Sequence, residues 1–236
     1  MSVLITGATS GIGLALAQDY AKERKVIACG RSAEKLEHYY SNLNNVSKLC
    51  FDICSKSQVL ASADELGELE LIILNAGDCE YMDEVVPFDS EKFERIIKIN
   101  VVGLGYCLDA FLPKLKSGGQ LVIISSSAVI VPFPRAQAYG ASKAAVSYLA
   151  RSLAVDLVAK KIDVTLVEPG FVKTPLTEKN DFDMPFLVPV DKAAKIIAKG
   201  ISDRKAEVRF PTSLMLMLHL LAQLPAKILA KLLVRK

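Results

Sequence analysis

Tryptophan is absent from this chain of 236 residues, and histidine occurs only twice, at His38 and His219. Two widely separated histidines argue against a histidine-based zinc site, and no metal is expected. Cysteine is sparse and odd in number (Cys29, Cys50, Cys54, Cys79 and Cys107), with no Cys-x-x-Cys pair. That pattern is no disulfide framework. It predicts reduced thiols in a cytoplasmic setting, with Cys29 and Cys50 placed in the core by the apolar, strand-like runs around them. No leader is expected ahead of Ser2-Val3-Leu4-Ile5, which already reads as a strand. The longest apolar run, 214–224, is interrupted by His219 and Gln223 and is too short to span a bilayer. A large charge of one sign is also missing: the formal net charge is +3, too mild to imply a nucleic-acid partner.

What is present is the composition of a folded domain, 51% apolar and 23% charged. A chain this long buries roughly 70% of its unfolded surface and needs no covalent or metal staple. Short β-branched runs at 3–5, 26–29, 47–51, 71–74, 121–125 and 164–167 read as buried strands. Longer periodic stretches at 11–23, 32–42, 55–65, 90–114 and 139–160 read as helices between them. Parallel strands need such crossovers, so the alternation predicts an α/β doubly wound sheet with helices on both faces, in a single domain.

Three segments carry chemistry. Thr6-Gly7-Ala8-Thr9-Ser10-Gly11-Ile12-Gly13 directly follows the first strand and opens a helix. Glycines there permit a tight turn, close approach of a pyrophosphate, and packing of helix on sheet, while the helix N-terminus offers free N–H donors. Cys29-Gly30-Arg31 ends the second strand without the acid that favours NAD. Arg31 can instead pair with a 2′-phosphate, which predicts NADP(H) over NAD(H). The third segment is Ser125-Ser126-Ser127 followed by Tyr139-Gly140-Ala141-Ser142-Lys143. Tyr139 and Lys143, four apart, share a helical face. An ammonium near a phenol, whose ordinary pKa is about 10, favours phenolate, and together with the positive charge of an oxidised nicotinamide it is expected to draw the group toward neutrality. Ser126 is placed to donate to a substrate carbonyl oxygen.

Together these motifs resemble the short-chain dehydrogenase/reductase family, standard-length branch, from Val3 to about Thr174, some three quarters of the chain. The resemblance implies a Rossmann-type sheet of seven strands in the order 3-2-1-4-5-6-7. It assigns cofactor contacts to Gly7, Thr9, Ser10, Gly11, Ile12 and Gly13, to Arg31, to Asp52 and Ile53, and to Asn75-Ala76-Gly77. Further contacts fall on Tyr139 and Lys143 and, in Glu168-Pro169-Gly170-Phe171-Val172-Lys173-Thr174, on Pro169, Gly170, Val172 and Thr174. It makes Ser126, Tyr139, Lys143 and Asn100 the catalytic set. Tyr139 is the general acid/base, and Asn100 distorts or caps its helix so that water links Lys143 to solvent. The family often has glycine three residues after the serine, where this chain has Val129, so the substrate wall departs from the pattern. Homo-oligomerisation, as dimer or tetramer through helices 90–114 and 139–160, is likewise implied by the resemblance.

The expected substrate is a hydrophobic carbonyl compound or secondary alcohol. Ser127, Val129, Pro132 and Phe133 are expected on one wall of its pocket, with Cys79, Glu80 and Met82 beyond Gly77. A lid over 175–191 would close it with Phe182, Met184, Phe186 and Leu187. Residues 1–210, lid included, form the catalytic part, and 211–236 an apolar, then basic, C-terminal helical extension of it. That extension has no acid and four bases, Lys227, Lys231, Arg235 and Lys236, which hold the entire basic excess. The spacing predicts an amphipathic helix over 225–236, either packed as an interface or lid, or lying on a membrane surface. Two other functions fit parts of the pattern. One is a catalytically silent NADP-binding sensor, which the retained Tyr139 and Lys143 argue against. The other is a nucleotide-sugar epimerase or dehydratase, for which the chain after Thr174 is short.

Overall fold

The computed structural model describes residues 2–233; Met1, Val234, Arg235 and Lys236 lie outside it, so the last part of the basic face expected over 225–236 falls outside the described residues. Nine strands run β1 Ser2–Thr6, β2 Lys25–Gly30, β3 Val46–Cys50, β4 Leu69–Leu74, β5 Leu115–Ile124, β6 Asp163–Pro169, β7 Val172–Lys173, β8 Val188–Pro189 and β9 Glu207–Phe210. Nine α-helices accompany them among the described residues: α1 Gly11–Tyr20, α2 Ala33–Tyr40, α3 Lys56–Ala61, α4 Ser90–Ile97, α5 Gly103–Phe111, α6 Gln137–Asp156, α7 Val190–Ser202, α8 Thr212–Ala222 and α9 Ala226–Leu233. Seven strands form one parallel sheet in the order β3-β2-β1-β4-β5-β6-β9. This is the order expected, with β9 as the seventh member because the small β7–β8 pair intervenes in the chain.

Alternation along the strands builds two cores. Val3 and Ile5 face one side with Val26, Ala28, Leu71, Ile73, Val122 and Ile124, under α1 and α7. Leu4, Cys29, Ile72, Leu74, Leu121 and Ile123 face the other, under α5 and α6. Both faces are dry, which is why the strands read as continuous apolar runs. The expected helix 90–114 has the length and hydropathy of a membrane span. Here it covers the sheet, burying Ile96, Leu104, Cys107 and Phe111, and is broken by a π turn at Lys98–Val102. Cys50 also departs from expectation: it ends β3 exposed, while Cys29, Cys79 and Cys107 are buried, and all five thiols are free. A third, smaller cluster joins α8 and α9 to the body through Leu214, Met215, Leu218, Leu229 and Val131.

Candidate active site

The carboxyl ends of β1, β2, β4, β5 and β6 open onto a cleft of about 590 Å³. Its floor is the turn after β1, where Gly7 (φ +65°) and Gly11 (φ +52°) adopt conformations that favour glycine. A Cβ on Gly7 would meet the Ala76 Cα and Asn75 Nδ2, both at 2.9 Å, so only glycine lets the turn pack against the residues after β4. Gly13 lies one turn into α1 and does not line the cleft; a Cβ there would strike the Gly7 carbonyl oxygen at 2.3 Å. Its role is to let helix and sheet meet. Ser10 precedes α1 without capping it, which leaves the first N–H groups of the helix to the cleft. Several groups hold the turn from behind. Thr6 Oγ1 accepts from the Asn75 and Ala76 N–H groups (3.0 and 3.1 Å), Asn75 Nδ2 donates to the Thr6 and Gly7 carbonyls (3.1 and 3.3 Å), and the Tyr40 hydroxyl donates to the Ala8 carbonyl (2.5 Å).

Arg31 stands exposed at one end of the cleft and forms no ion pair with any described residue. Ser32, which caps α2 by accepting from the Lys35 N–H (3.2 Å), and Lys35 itself line the same end. Neither stood out in the sequence; a Ser-x-x-Lys helix start is too common a pattern. Asp52 and Ile53 form the opposite rim, where Asp52 Oδ1 accepts from the Cys54 N–H (2.9 Å). Thr9, Ile12, Asn75, Ala76, Gly77, Pro169, Gly170, Val172 and Thr174 all line the cleft as well.

At the other end lie Ser126, Tyr139 and Lys143. Ser126 follows β5 and starts a tight turn, its Oγ accepting from the Ala128 N–H (3.1 Å). Tyr139 sits in the first turn of α6 beside the Ser126 hydroxyl, and one turn on, Lys143 Nζ lies 5.9 Å from the phenol ring centre. The part of the expected downward pull assigned to Lys143 is not found. Burial pushes the Tyr139 hydroxyl well above the ordinary range, the nearby Cys79 thiol adds to this, and only Ser126 opposes it. Lys143 instead donates from Nζ to the Ile124 carbonyl (3.0 Å), and its own burial brings it down to about 8. The physical reason is that desolvation outweighs a cation that is itself buried and turned toward the backbone.

Asn100 is fully inside the protein, in the π turn, and does not line the cleft. Its Nδ2 donates to the Asp78 carbonyl and the Ser142 hydroxyl (both 2.9 Å), and its Oδ1 accepts from the Asp78 N–H (2.8 Å). A Cβ on Gly77 would lie 3.0 Å from Asn100 Oδ1 and 3.3 Å from Lys143 Nζ, so the three meet at one point. The helix distortion expected at Asn100 is this π turn. Below it runs a polar chain that the sequence did not disclose. Ser125 Oγ donates to the Lys143 carbonyl (3.0 Å), and Ser147 Oγ bonds Ser125 Oγ (2.7 Å) and the buried Glu168 carboxylate (2.9 Å). Arg151 and Arg209 close on that carboxylate at 3.1 and 2.7 Å. Two cations and a hydroxyl satisfy a charge that would otherwise be costly to bury.

A second cavity of about 260 Å³ opens beyond Tyr139 and shares Ser126, Tyr139, Gly170, Leu176 and Thr177 with the first. Cys79, Ser127, Phe133 and Phe182 line it as expected. Val129, Pro132, Glu80, Met82, Met184, Phe186 and Leu187 do not. Glu80 is taken by Arg95 in a two-pronged pair (2.8 and 2.9 Å), Met82 is buried against Ile96, and Phe186 and Leu187 face solvent. Their places are filled by Tyr81, Ala128, Arg135, Phe171, Leu176 and, from α9, Leu233. Burial holds the Cys79 thiol up at about 11, so it is no thiolate near neutrality.

The chain is similar to known proteins in sequence and fold. The short chain dehydrogenase family profile matches residues 1–184. An uncharacterised oxidoreductase of Myxococcus xanthus is 36% identical over 90% of this chain and 88% of its own. A 3β-hydroxysteroid dehydrogenase of Mediterraneibacter gnavus is 33% identical over 84% of this chain and 74% of its own. The structure of a short chain dehydrogenase from Burkholderia cenocepacia in complex with NADP superposes with a TM-score of 0.87 at 26% identity, covering 99% of this chain and 98% of that one. With a glycine turn under one cavity, two hydroxyls at its junction with the next, and a family profile spanning most of the fold, the chain belongs to the short-chain dehydrogenases and is an oxidoreductase.

Proposed function

We propose that this oxidoreductase uses NADP(H) to interconvert a hydrophobic carbonyl compound and its secondary alcohol, with Tyr139 as the proton donor in reduction. One observation carries the reading: the Ser126 and Tyr139 side chains stand on the wall common to the cleft and to the apolar cavity. The fit to a phosphorylated dinucleotide is supported by a turn whose Gly7 and Gly11 put no side chain into the cleft, by an uncapped helix start at Ser10, and by an unpaired Arg31 at the far end. The NADP complex of the Burkholderia relative supports the same cofactor.

When bound, NADPH supplies the hydride. Ser126 and Tyr139 orient the carbonyl oxygen from one side. Burial keeps the phenol protonated at neutral pH, the state that reduction requires and oxidation does not. Tyr139 gives its proton to the oxygen as the alcohol forms. Lys143, brought down to about 8, is poised to return a proton to the phenolate, and Asn100 fixes the Gly77–Lys143 corner through which that proton travels. The second cavity selects apolar substrates through Ala128, Phe133, Phe171, Phe182 and Leu233. Its volume lies just under the roughly 300 Å³ at which ligand clefts begin, which favours a compact carbonyl compound.

The test is a panel of aldehydes, ketones and quinones with NADPH, run beside NADH, for the natural chain and Tyr139→Phe. The variant is expected to bind NADPH normally and to lose turnover by about 10³-fold or more. Turnover within tenfold of the natural chain would remove Tyr139 from the chemistry. Tight NADPH binding with no substrate reduced would favour a sensor.

A further inference from the structure

The two C-terminal helices have one face committed and one face bare. Inward, Leu214, Met215 and Leu218 of α8 and Leu229 of α9 pack into the third apolar cluster, and Leu233 forms part of the wall of the substrate cavity. Outward, Leu216 is 63%, Leu220 64% and Leu232 60% exposed, with Met217 and Ile228 beside them. Isolated exposed leucines are ordinary, but five large apolar side chains concentrated on two consecutive helices are not. The segment that carries them has charges of one sign only. Residues 211–233 contain no acid, and Lys227 and Lys231 are exposed and unpaired among the described residues.

We infer that this face docks the protein on an anionic lipid surface. On α9, Ile228 and Leu232 follow Lys227 and Lys231 at the same four-residue spacing, so an apolar and a cationic stripe run side by side. An interfacial helix requires that arrangement: leucines enter the headgroup–acyl boundary while lysines meet lipid phosphates. A two-fold contact with a second copy is disfavoured by the same charges. It would bring together two surfaces that each carry Lys227 and Lys231, with no acid on α8 or α9 of either copy to answer them. Docking also places the bilayer on the outer side of helices whose inner side touches the apolar cavity. The inference does not depend on the reductase reading, and the two fail separately.

The experiment uses the full chain, sedimented with phosphatidylcholine vesicles with and without phosphatidylglycerol, at low and high salt. Binding is expected with the anionic vesicles at low salt, to weaken at high salt as the Debye length shrinks, and to be slight with phosphatidylcholine alone. L216E/L220E and K227E/K231E should each lower vesicle binding about tenfold or more while leaving turnover of a water-soluble carbonyl substrate unchanged. Turnover also reports that the variants are folded. Absence of binding to anionic vesicles at low salt, or binding untouched by both variants, would overturn the inference. So would self-association of the natural chain that L216E/L220E abolishes without any vesicle binding, since a second copy would then cover the face.

Discussion

Lys143 carries a cost that its position makes measurable. In the unfolded chain a lysine holds its proton to about 10.5, whereas burial in the fold brings this one down to about 8. Between those values the unfolded state binds more protons, so stability rises with pH through that window and the penalty is fully present below it. The buried thiols Cys29, Cys79 and Cys107 and the buried phenols, all displaced upward, oppose the trend once their unfolded counterparts ionise, the thiols from about pH 9 and the tyrosines from about pH 10. Lys143→Met should therefore abolish the rise that begins near pH 8 in denaturant midpoints of the natural chain, the pH profiles of the two proteins diverging by up to about 3 kcal/mol by pH 10, and lose about 10²-fold or more in turnover. Identical pH slopes in both proteins would show that Lys143 is not a buried charge. Arg31 provides the opposite case, an exposed cation with nothing to hold. Arg31→Asp should weaken NADPH by about 10²-fold in fluorescence titration and leave NADH nearly unchanged, because only the 2′-phosphate meets the guanidinium. Equal losses for both cofactors would reduce Arg31 to a surface residue. Residue types and their spacing made these positions legible, since few side chains can do the chemistry. The direction of the Tyr139 shift was not legible, because desolvation depends on what surrounds the phenol.

The elements read most easily were those with a dry face of their own. Strands β1, β2 and β4 announce themselves by consecutive apolar residues, but β9 hides: its Val208 and Phe210 turn inward while Glu207 and Arg209 pair outward with Arg151 and Glu168. Helix α7 was masked by the prolines just before it, although Ala193, Ala194, Ile197 and Ile201 carry a helical period into the core. The segment expected as a lid is tied down by a group that no pattern flagged. Arg135, at φ +64°, pairs with Asp83 and with Asp181 (2.6 Å) and lies over the Tyr81 ring at 5.3 Å. It thus joins three chain segments around the apolar cavity. We predict that Arg135→Ala frees them: KM for an apolar carbonyl rises about fivefold or more, kcat falls less, and NADPH affinity is unchanged. A fall in kcat at constant KM would place Arg135 in the chemistry instead. Backbone strain at a non-glycine residue of this kind has no signature in the sequence.

At the scale of the whole molecule, cofactor and substrate rest on different foundations. The cleft is built on strand ends that run between the two large cores, whereas the cavity wall borrows Phe171, Phe133 and Leu233 from the third cluster, held by far fewer buried side chains. Even the contact between the parts is narrow: a Cβ on Gly170 would overlap Leu214 Cδ2 at 2.4 Å, so α8 approaches the strand ends only because that position is glycine. Stability is then uneven, with the C-terminal helices opening before the sheet does. Native-state hydrogen exchange should show amides of α8 and α9 exchanging well ahead of those in β1, β4 and β5. Among the described residues, a chain ending at Gln223 removes one buried leucine, Leu229, together with the partly buried Leu224 and Leu233. It should keep NADPH affinity within about twofold, because no cleft residue lies beyond Lys179, and raise KM for an apolar carbonyl about fivefold as the Leu233 wall is lost. If that truncation weakened NADPH as much as it weakened substrate, the two sites would share one cooperative unit, and the tail would have to be counted as part of the cofactor fold.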